Sequence, residues 1–501
     1  MKIKFCGAAR EVTGSCHLIT LDDGFKILLD CGLYQGRNEA MASFNEKWLF
    51  NPSEIDCLLL SHAHIDHTGR LPKLVKDGFN KTIYATHATR DLSAIMLLDS
   101  AKIQENDADY DKKRAEKQGK TLESKPLYTV EDTRQTLQLF AGYSYDTWFK
   151  IKENVEVMFA DAGHILGSAS ISIKITDLSR DNREGGKTTR LGFTADIGRP
   201  NRPILRDPQP MPPCDILLCE STYGDRLHTA APEETTRFQA IVEETCVKKG
   251  GKLIIPAFSV GRTQEIVYIL DKLVEAGQLP TIPVYVDSPL AVDATGIFVN
   301  HPECFDAEIN DYLRHDPNPF GFKNLTFIKD TEGSKKLNTS QEPCIIIASS
   351  GMANAGRVKH HIANNVEKPS TTILIVGYAS GNTPAGQLRD GAKTLNLFGK
   401  DLQVRADVEV MDSFSAHGDY KEILQMIDNQ KDSCKNLLLV HGDYAVQQVF
   451  QGFLHKNGFA NVEIPALGDE VEFDKNGGMS WLKETPQYAA TKSAFKPESE
   501  I

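Results

Sequence analysis

The stretch from Ser61 to His67 constrains the fold most strongly, because it reads Ser-His-Ala-His-Ile-Asp-His. It directly follows the apolar run Leu58–Leu60, which predicts a buried strand. His62 and His64 are two residues apart, so an extended backbone projects both side chains to the same side. The following pair, Asp66-His67, faces a second direction as the chain turns. Two adjacent sets of nitrogen and oxygen ligands favour a pair of divalent metals over a single one.

A histidine-rich surface loop is the alternative interpretation of this stretch. Low-complexity histidine tracts lack a strand before them and a helix entry after them. This motif has the strand, and Gly69 marks the helix entry. We therefore expect a metal site rather than a surface loop.

Length, charge and cysteine pattern indicate a cytoplasmic protein with several domains. The 501 residues exceed the usual size of one domain, so two or more are expected. No apolar run has the length of a membrane-spanning helix, so no membrane partner is predicted. The 10 cysteines are scattered singly and are expected to be buried free thiols. A net charge of -12 counts against a broad basic surface for nucleic acid, but not against a metal enzyme that acts on phosphate.

Secondary-structure patterns divide the chain into an outer unit and an inserted unit, both of the α/β class. The outer unit is rich in short strands separated by turns, whereas the central block alternates strands and helices, which is typical of a parallel sheet. The charged stretch 102–125 is expected to be an exposed helical or mobile insertion. The predicted division is residues 1–224 and 403–484 for the discontinuous outer unit, 225–402 for the insertion, and 485–501 for a poorly ordered tail.

Three further residues at predicted strand ends can complete the metal site. His164 follows the strand that ends at Phe159, and Asp196 follows another strand. His441 comes directly after the apolar run Leu437–Val440. With the opening motif, this makes five histidines and two aspartates. A carboxylate shared at Asp196 would hold two metals close together, which is the geometry used for in-line phosphoryl displacement.

At this point the motifs resemble a known family. The set that resembles the metallo-β-lactamase superfamily is Asp30, His62-x-His64-x-Asp66-His67, His164 and Asp196. Three later residues resemble the motifs of its β-CASP subgroup of nucleic-acid processing nucleases: Glu220 in Leu-Cys-Glu-Ser-Thr-Tyr-Gly, His417 in Phe-Ser-Ala-His-Gly-Asp, and His441. By pattern the chain is most similar to the nuclease subunit of the eukaryotic cleavage and polyadenylation specificity factor and to its short prokaryotic homologues. The resemblance implies a four-layer αββα metallo-β-lactamase fold with an inserted parallel α/β β-CASP domain.

The resemblance also implies a role for each of these residues. His417, Glu220 and Asp66 would form the catalytic set, in which His417 protonates the leaving 3′ oxygen and Glu220 holds its ring. Asp30 would orient ligands without binding metal. A hydroxide bridging two zinc ions would attack phosphorus, and manganese is admitted by the same ligands. The implied ligands are His62, His64 and His164 for one metal, Asp66, His67 and His441 for the other, and Asp196 between them.

Four residues of the central block are candidates for binding substrate phosphate. Arg262, Ser288, Ser350 and Gly351 each follow a predicted strand, and loops at strand carboxyl ends commonly face ligands. Ordinary turn chemistry is the alternative. By contrast, Gly185-Gly-Lys-Thr188 lacks the first glycine of a phosphate loop and is expected to be a hairpin turn. His360 and His361 are expected on a helix surface.

The resemblance leaves several functions to weigh. A zinc-dependent ribonuclease is favoured, which cuts single-stranded RNA mainly internally, with a 5′ exonucleolytic mode as an option, and gives 5′-phosphate and 3′-hydroxyl ends. It is favoured over a DNA nuclease, because the DNA-processing branch typically carries Val where this chain has His441. A small-molecule metallo-hydrolase is disfavoured, because such an enzyme needs neither Glu220 nor His417. An inactive scaffold is also disfavoured, because inactive homologues have lost metal ligands and all seven are present in this sequence. One departure is Asp443, where many relatives carry Glu. The sequence admits a homodimer.

Overall fold

The computed structural model describes residues 1–36, 41, 43–119, 121, 124–177, 187–228, 234–377, 379, 381–411, 416–474 and 477–485. Three sequence predictions fall wholly or partly outside these residues. They are the tail from 485 to 501, the turn at 185–188, and the end of the charged stretch 102–125. None of the helices in the described ranges combines the length and hydropathy that a membrane crossing requires.

Strands and helices alternate in the central part of the described chain, whereas runs of consecutive strands precede and follow it. The strands are β1 (Lys2–Gly7), β2 (Cys16–Thr20), β3 (Lys26–Leu29), β4 (Cys57–Leu59), β5 (Ile83–Thr86), β6 (Phe140–Tyr143), β7 (Phe149–Lys152), β8 (Val155–Asp161), β9 (Ala169–Thr176), β10 (Thr188–Phe193), β11 (Ile216–Cys219), β12 (Lys252–Pro256), β13 (Val284–Val286), β14 (Leu325–Phe327), β15 (Cys344–Ala348), β16 (Thr372–Val376), β17 (Thr394–Leu397), β18 (Lys400–Gln403), β19 (Asp407–Met411), β20 (Asn436–Leu439), β21 (Val462–Glu463), β22 (Glu470–Phe473) and β23 (Met479–Lys483). The helices are α1 (Ile65–Thr68), α2 (Leu71–Lys76), α3 (His87–Lys117), α4 (Val130–Leu137), α5 (Glu234–Val242), α6 (Arg262–Glu275), α7 (Pro289–Asn300), α8 (Ala307–Tyr312), α9 (Thr331–Thr339), α10 (Gly356–Asn365), α11 (Pro384–Arg389), α12 (Tyr420–Ile427) and α13 (Tyr444–Lys456).

Two mixed sheets form the centre of the outer unit. One runs in the order β23-β22-β1-β2-β3-β4-β5-β6 and the other in the order β21-β20-β11-β10-β9-β8-β7. Their inner faces share one buried cluster, in which Phe5 and Leu29 of the first sheet meet Phe159 and Phe193 of the second. Burial of these large side chains from both sheets stabilises the sandwich through the hydrophobic effect.

Helices cover the outer face of each sheet. On the first sheet, Leu74 of α2 and Leu97 of α3 pack with Leu58. On the second, Ile423 of α12 and Phe450 of α13 belong to one cluster with strand residues. The outer unit therefore has the four-layer αββα architecture that the resemblance implied.

The inserted unit contains a parallel sheet in the order β14-β13-β15-β12-β16-β19. Strands β12, β15 and β16 are buried along their whole length, which explains their continuous apolar sequences. Helices cover both faces, because buried clusters lie on each side of the sheet. The α/β insertion is thus confirmed as a fold.

One strand of this sheet bears on the domain boundaries. β19 lies beyond residue 402, yet it pairs in parallel with β16 from Thr372↔Asp407 to Val376↔Met411. The division at 224, 402 and 484 remains a proposal. The pairing of β19 favours a second boundary after Met411.

Some predicted helices differ in extent. The sequence pattern predicts one short helix over residues 67–78, but the structure divides this region into α1 and α2, because Gly69 and Arg70 lie between them. A second predicted helix, from about residue 88 to 106, continues to Lys117 as α3, so most of the charged stretch is the exposed end of α3. Ala108 and Ala115 are buried on its inner side, which indicates that this end packs against the protein rather than standing free.

Candidate metal centre

Strand ends at one edge of the two-sheet sandwich carry the predicted metal ligands. β4 leads into the His62–His67 motif, and His164 follows β8. Asp196 and His441 follow the parallel strands β10 and β20, on either side of β11. Because parallel neighbours end at the same edge, residues far apart in sequence meet there.

The first group of ligands surrounds one point. It consists of His62, His64, His164 and Asp196, whose ligand atoms all lie within 4.8 Å of one another. His64 Nδ1 is 3.1 Å from both His62 Nε2 and His164 Nε2. Asp196 Oδ2 is 3.4 Å from the same two nitrogens. Three imidazoles and one carboxylate oxygen therefore converge.

The second group lies against the other oxygen of Asp196. Asp66, His67 and His441 have ligand atoms within 4.8 Å of one another. His67 Nε2 is 3.2 Å from His441 Nε2, and His441 Nε2 is 3.5 Å from Asp66 Oδ2. Asp196 Oδ1 is 3.3 Å from His67 Nε2 and 3.5 Å from His441 Nε2. Asp196 thus offers one oxygen to each group.

The geometry fits divalent cations. A tetrahedral site with metal bonds of 2.0–2.1 Å has ligand separations of about 3.3 Å, which is close to the distances in both groups. Asp196 Oδ1 is buried and has no hydrogen-bond partner among the described residues, although an unpaired buried carboxylate oxygen is costly. A cation between the ligands would satisfy it. The residues that the sequence predicted as metal ligands therefore lie together in a cluster that suits a divalent cation.

Protonation also suits metal binding in the first group. Burial and the nearby His67 hold the pKa of His62 well below its usual range. Burial lowers the pKa of His64 to about 4. Burial, together with His417, also lowers the pKa of His164. All three imidazoles are consequently neutral at pH 7, the form that binds a metal.

Polar side chains contact the Nδ1 atoms of His67 and His441, on the side of each ring opposite the Nε2 that faces the other ligands. Asp30 Oδ2 is 2.7 Å from His67 Nδ1, and Asp30 also accepts hydrogen bonds from the Ser61 amide at 2.9 Å and the Ser15 hydroxyl at 3.1 Å. Thr222 Oγ1 is 3.0 Å from His441 Nδ1. Such contacts select the tautomer that presents Nε2 to a metal. Asp30 therefore lies in position for the orienting role expected of it.

The backbone around the metal centre has two residues with positive φ and one close approach between chain segments. Asp30 and His441 have φ of 57° and 52°, in the left-handed region that few non-glycine residues adopt. Gly32 permits another close approach, because a Cβ there would lie 1.5 Å from the carbonyl oxygen of Asp66. Any larger residue at position 32 would displace α1 and, with it, two ligands.

Glu220 and His417 form a third group beside the metal ligands. His417 Nδ1 is 3.2 Å from Glu220 Oε2, and His417 Nε2 is 3.9 Å from Asp196 Oδ2. Burial lowers the pKa of His417, but the carboxylates of Glu220 and Asp196 outweigh burial and raise that pKa to about 9. The ring therefore carries a proton at neutral pH. Its side chain is 19% exposed, so it is partly accessible to solvent.

Two side chains that hold this group escaped the sequence analysis. His228 Nε2 is 2.9 Å from the carbonyl oxygen of His417, and the Tyr223 ring contacts both His228 and His417 with centroids 5.1 and 5.9 Å away. Both lie within eight residues of Glu220 in Thr-Tyr-Gly-Asp-Arg-Leu-His. A lone histidine in that context gives no sequence signal of a backbone contact, so only the fold reveals it.

Asp443, the departure noted above, starts α13 and makes no side-chain capping bond.

The phosphate candidates lie at the carboxyl edge of the inserted sheet. Ser288 Oγ is 2.9 Å from Ser349 Oγ and 3.2 Å from Ser259 Oγ, which makes a cluster of three hydroxyls. Ser350 and Gly351 follow directly, and Ser350 Oγ donates to Asn354 Oδ1 at 2.9 Å. Arg262 is 8% exposed in its side chain and forms an ion pair with Glu265, so its charge is partly balanced within the protein.

The surface position expected for His361 is wrong. His361 is fully buried, with Nε2 2.7 Å from Asp287 Oδ2 and Nδ1 2.9 Å from Asn338 Oδ1. Asp287 also accepts a hydrogen bond from Arg357 at 2.6 Å. This buried pair joins α10 to β13, and α10 turns His361 inward while the neighbouring His360 stays exposed.

Comparison with known domain families agrees with this architecture. Residues 9–134 match the metallo-beta-lactamase superfamily, residues 263–388 match the Beta-Casp domain, and residues 401–465 match the Zn-dependent metallo-hydrolase RNA specificity domain. Together these matches fall in both parts of the ligand-bearing unit and in the insertion.

Individual relatives extend along most of the chain. Ribonuclease TTHA0252 of Thermus thermophilus is 33% identical over 445 residues, which are 88% of this chain and 93% of the relative. Transcription termination factor FttA of Methanosarcina mazei is 29% identical, over 88% of this chain and 67% of the relative. Cleavage and polyadenylation specificity factor 73 of Drosophila melanogaster is 29% identical, over 88% of this chain and 60% of the relative.

Proposed function

The chain belongs to the β-CASP group of the metallo-β-lactamase superfamily, and from that membership we propose that it hydrolyses the phosphodiester bonds of RNA at its divalent metal site. Similarity to a ribonuclease over nearly its whole length supports this proposal. We further propose cleavage mainly within single strands, leaving 5′-phosphate and 3′-hydroxyl ends. A cytoplasmic location is proposed from the free cysteines, nine of which are buried.

One observation carries the proposal: the proton donor His417 stands beside the metal ligands with a carboxylate behind it. The 3′ oxygen of RNA is a poor leaving group and needs a proton as its bond to phosphorus breaks. A thiolate can leave without a proton, because a thiol is far more acidic than an alcohol. The Glu220–His417 pair, with Nδ1 3.2 Å from Oε2, therefore favours phosphodiesters over thioesters.

His417 would donate the proton on its Nε2, while its Nδ1 stays hydrogen-bonded to Glu220. Glu220 accepts the hydrogen bond from Nδ1 and stabilises the imidazolium, so the proton on Nε2 is the one available for transfer. Nε2 faces Asp196, the residue shared by both ligand groups. Donation from Nε2 to the 3′ oxygen gives a neutral imidazole, which regains its proton from solvent. His228 and Tyr223 keep the ring in place during this step.

We assign two metal ions to the site, with zinc favoured by the nitrogen-rich ligands and manganese as the alternative. His62, His64 and His164 would hold one, Asp66, His67 and His441 the other, and Asp196 both. When bound, the metals supply a hydroxide near neutral pH and offset charge on the phosphate. Asp30 would raise the basicity of His67 through its 2.7 Å hydrogen bond.

Substrate phosphates would lie along the carboxyl edge of the inserted sheet. The hydroxyl of Ser288 and the amide of Gly351 offer donors there without a charged side chain, whereas the Ser350 amide already donates to the Ala355 carbonyl oxygen at 3.3 Å. Arg262 is the weaker candidate, because Glu265 already pairs with it.

Cleavage of labelled single-stranded RNA and of DNA with the same sequence tests the proposal. We expect metal-dependent cutting of RNA that a chelator abolishes and added zinc restores. His417→Ala should lower the rate by roughly 10²–10⁴-fold, the usual contribution of a general acid, without loss of bound metal. Equal cutting of RNA and DNA would contradict the RNA assignment, and loss of metal in His417→Ala would make it a ligand instead.

A further inference from the structure

Phe258 is an exposed aromatic residue on a rigid loop. It follows β12 by two positions and is 47% exposed, so its ring faces solvent. Thr263 fixes its backbone, with Oγ1 2.7 Å and the amide nitrogen 3.3 Å from the Phe258 carbonyl oxygen. Gly351 packs beneath the ring, because a Cβ there would lie 3.0 Å from ring atoms Cδ2 and Cε2.

The loop that carries Phe258 joins the phosphate candidates to the metal centre. Its next residue, Ser259, has Oγ 2.6 Å from Ser349 Oγ and 3.2 Å from Ser288 Oγ. At the other end of the loop, a Cβ on Gly261 would lie 3.9 Å from Ile165, the residue after the ligand His164. Phe258 therefore belongs to a loop that contacts the hydroxyl cluster through Ser259 and approaches the loop bearing His164 at Gly261.

We propose that Phe258 stacks on a nucleobase of bound RNA, next to the phosphates held at the serine edge. The proposal rests on the proposed function and adds how the chain recognises its polymer. Bases stack on aromatic side chains with little dependence on sequence, because every base has a π-face. A base can reach such a ring only when it is unpaired, so Phe258 makes the site selective for single strands over duplexes.

This arrangement also compensates for the acidic character of the protein. A net charge of -12 gives no broad attraction for a polyanion. Stacking supplies affinity that does not depend on cationic side chains, while hydroxyl and backbone donors meet the phosphates. RNA bound this way loses less affinity with rising salt than RNA bound by many lysines and arginines.

Binding of fluorescent single-stranded RNA to the full chain in the cleavage-deficient His417→Ala background tests this role. Phe258→Ala should weaken binding about tenfold, in line with the loss of one stacked base, whereas Phe258→Trp should retain it. The matched control is Phe398→Ala, which removes a similarly exposed phenylalanine (51%) from the β17–β18 hairpin and should leave binding unchanged. Duplex RNA should bind weakly to all variants.

A series of RNAs, each with a single abasic nucleotide at a different position, distinguishes base stacking by Phe258 from a purely structural role of Phe258 in its loop. The Phe258-containing protein should show one position where the missing base weakens binding, and that weakness should vanish in Phe258→Ala. Unchanged binding by Phe258→Ala, or an equal loss on intact and abasic RNAs, would overturn the stacking role even if the wild-type chain cleaves RNA. A wild-type chain that does not cleave RNA would remove the proposed function and the stacking role together.

Discussion

At the scale of single residues, His417 depends on parts of the chain that are far apart in sequence. Glu220 at the end of β11 contacts its Nδ1, Asp196 after β10 faces its Nε2, and the His164 ring lies 4.5 Å from its own. The Gly418 amide next to it donates to the Ile197 carbonyl oxygen at 2.8 Å. The chemistry of this imidazole is therefore set by its neighbours rather than by its own identity.

Replacing Glu220 with Gln should move the pH dependence of cleavage. Glu220 and Asp196 raise the pKa of His417 to about 9, against the effect of burial. A neutral amide stabilises the imidazolium less, so the pKa of His417 falls and the proton is lost at lower pH. We expect the alkaline limb of kcat against pH to shift to lower pH, with a smaller loss of rate at pH 6 than at pH 8. An unshifted limb would contradict a role for Glu220 through His417.

The sequence allowed the residues that converge at the candidate metal site to be predicted, because each stands in a short, recognisable motif at a strand end. Thr222 and His228 could not be predicted in this way, since their roles depend on contacts with His441 and His417 across the fold. His361 was misplaced for a related reason. Charged neighbours on its helix suggested a surface, whereas Asp287 provides a buried partner.

At the scale of elements, parallel strands explain why the site forms. β10, β11 and β20 are neighbours in register, so Asp196, Glu220 and His441 emerge at one edge. Apolar runs and strand-end motifs predicted that edge. They did not predict the length of α3, because its second half is sparsely apolar and buries alanines, and they did not predict that β19 pairs with β16.

A buried carboxyl on α6 predicts how the inserted unit responds to pH. Burial raises the pKa of Asp271 to about 7, although the Tyr312 hydroxyl donates to it at 2.8 Å. The folded state thus binds this proton more tightly than the unfolded state, whose pKa is about 3.9, and stability contributed by the group is lost as pH rises from about 4 to 7. Asp271→Asn should stabilise the protein at pH 8, on the order of 1 kcal/mol after solvent screening, and change little near pH 4.

Thermal unfolding of the two proteins at both pH values measures this effect. Asp311→Asn is the control, because that carboxylate is exposed on α8 and should show no gain that depends on pH. A gain of equal size at both pH values would mean that the ionisation of Asp271 is not responsible.

At the scale of the whole molecule, the two units meet along one continuous core. Ala63, Leu92 and Ile165 of the outer unit belong to the same buried cluster as Val286 and Phe298 of the insertion. The carboxyl edge of the inserted sheet therefore stands next to the loop after His164. A discontinuous domain could be predicted from the return of strand-rich sequence after residue 403, but the way its two parts and the insertion meet depends on side-chain packing that periodicity does not encode.

The central claim is that His417 protonates the 3′ oxygen as it leaves, and an altered leaving group tests it most directly. In an RNA whose scissile 3′ oxygen is replaced by sulfur, the departing thiolate needs little protonation, because a thiol is far more acidic than an alcohol. Cleavage rates of the wild-type chain and His417→Ala are compared on the oxygen and sulfur substrates with the same metal. We predict a large defect of His417→Ala on the oxygen substrate that nearly disappears on the sulfur substrate. An equal defect on both substrates would contradict the claim.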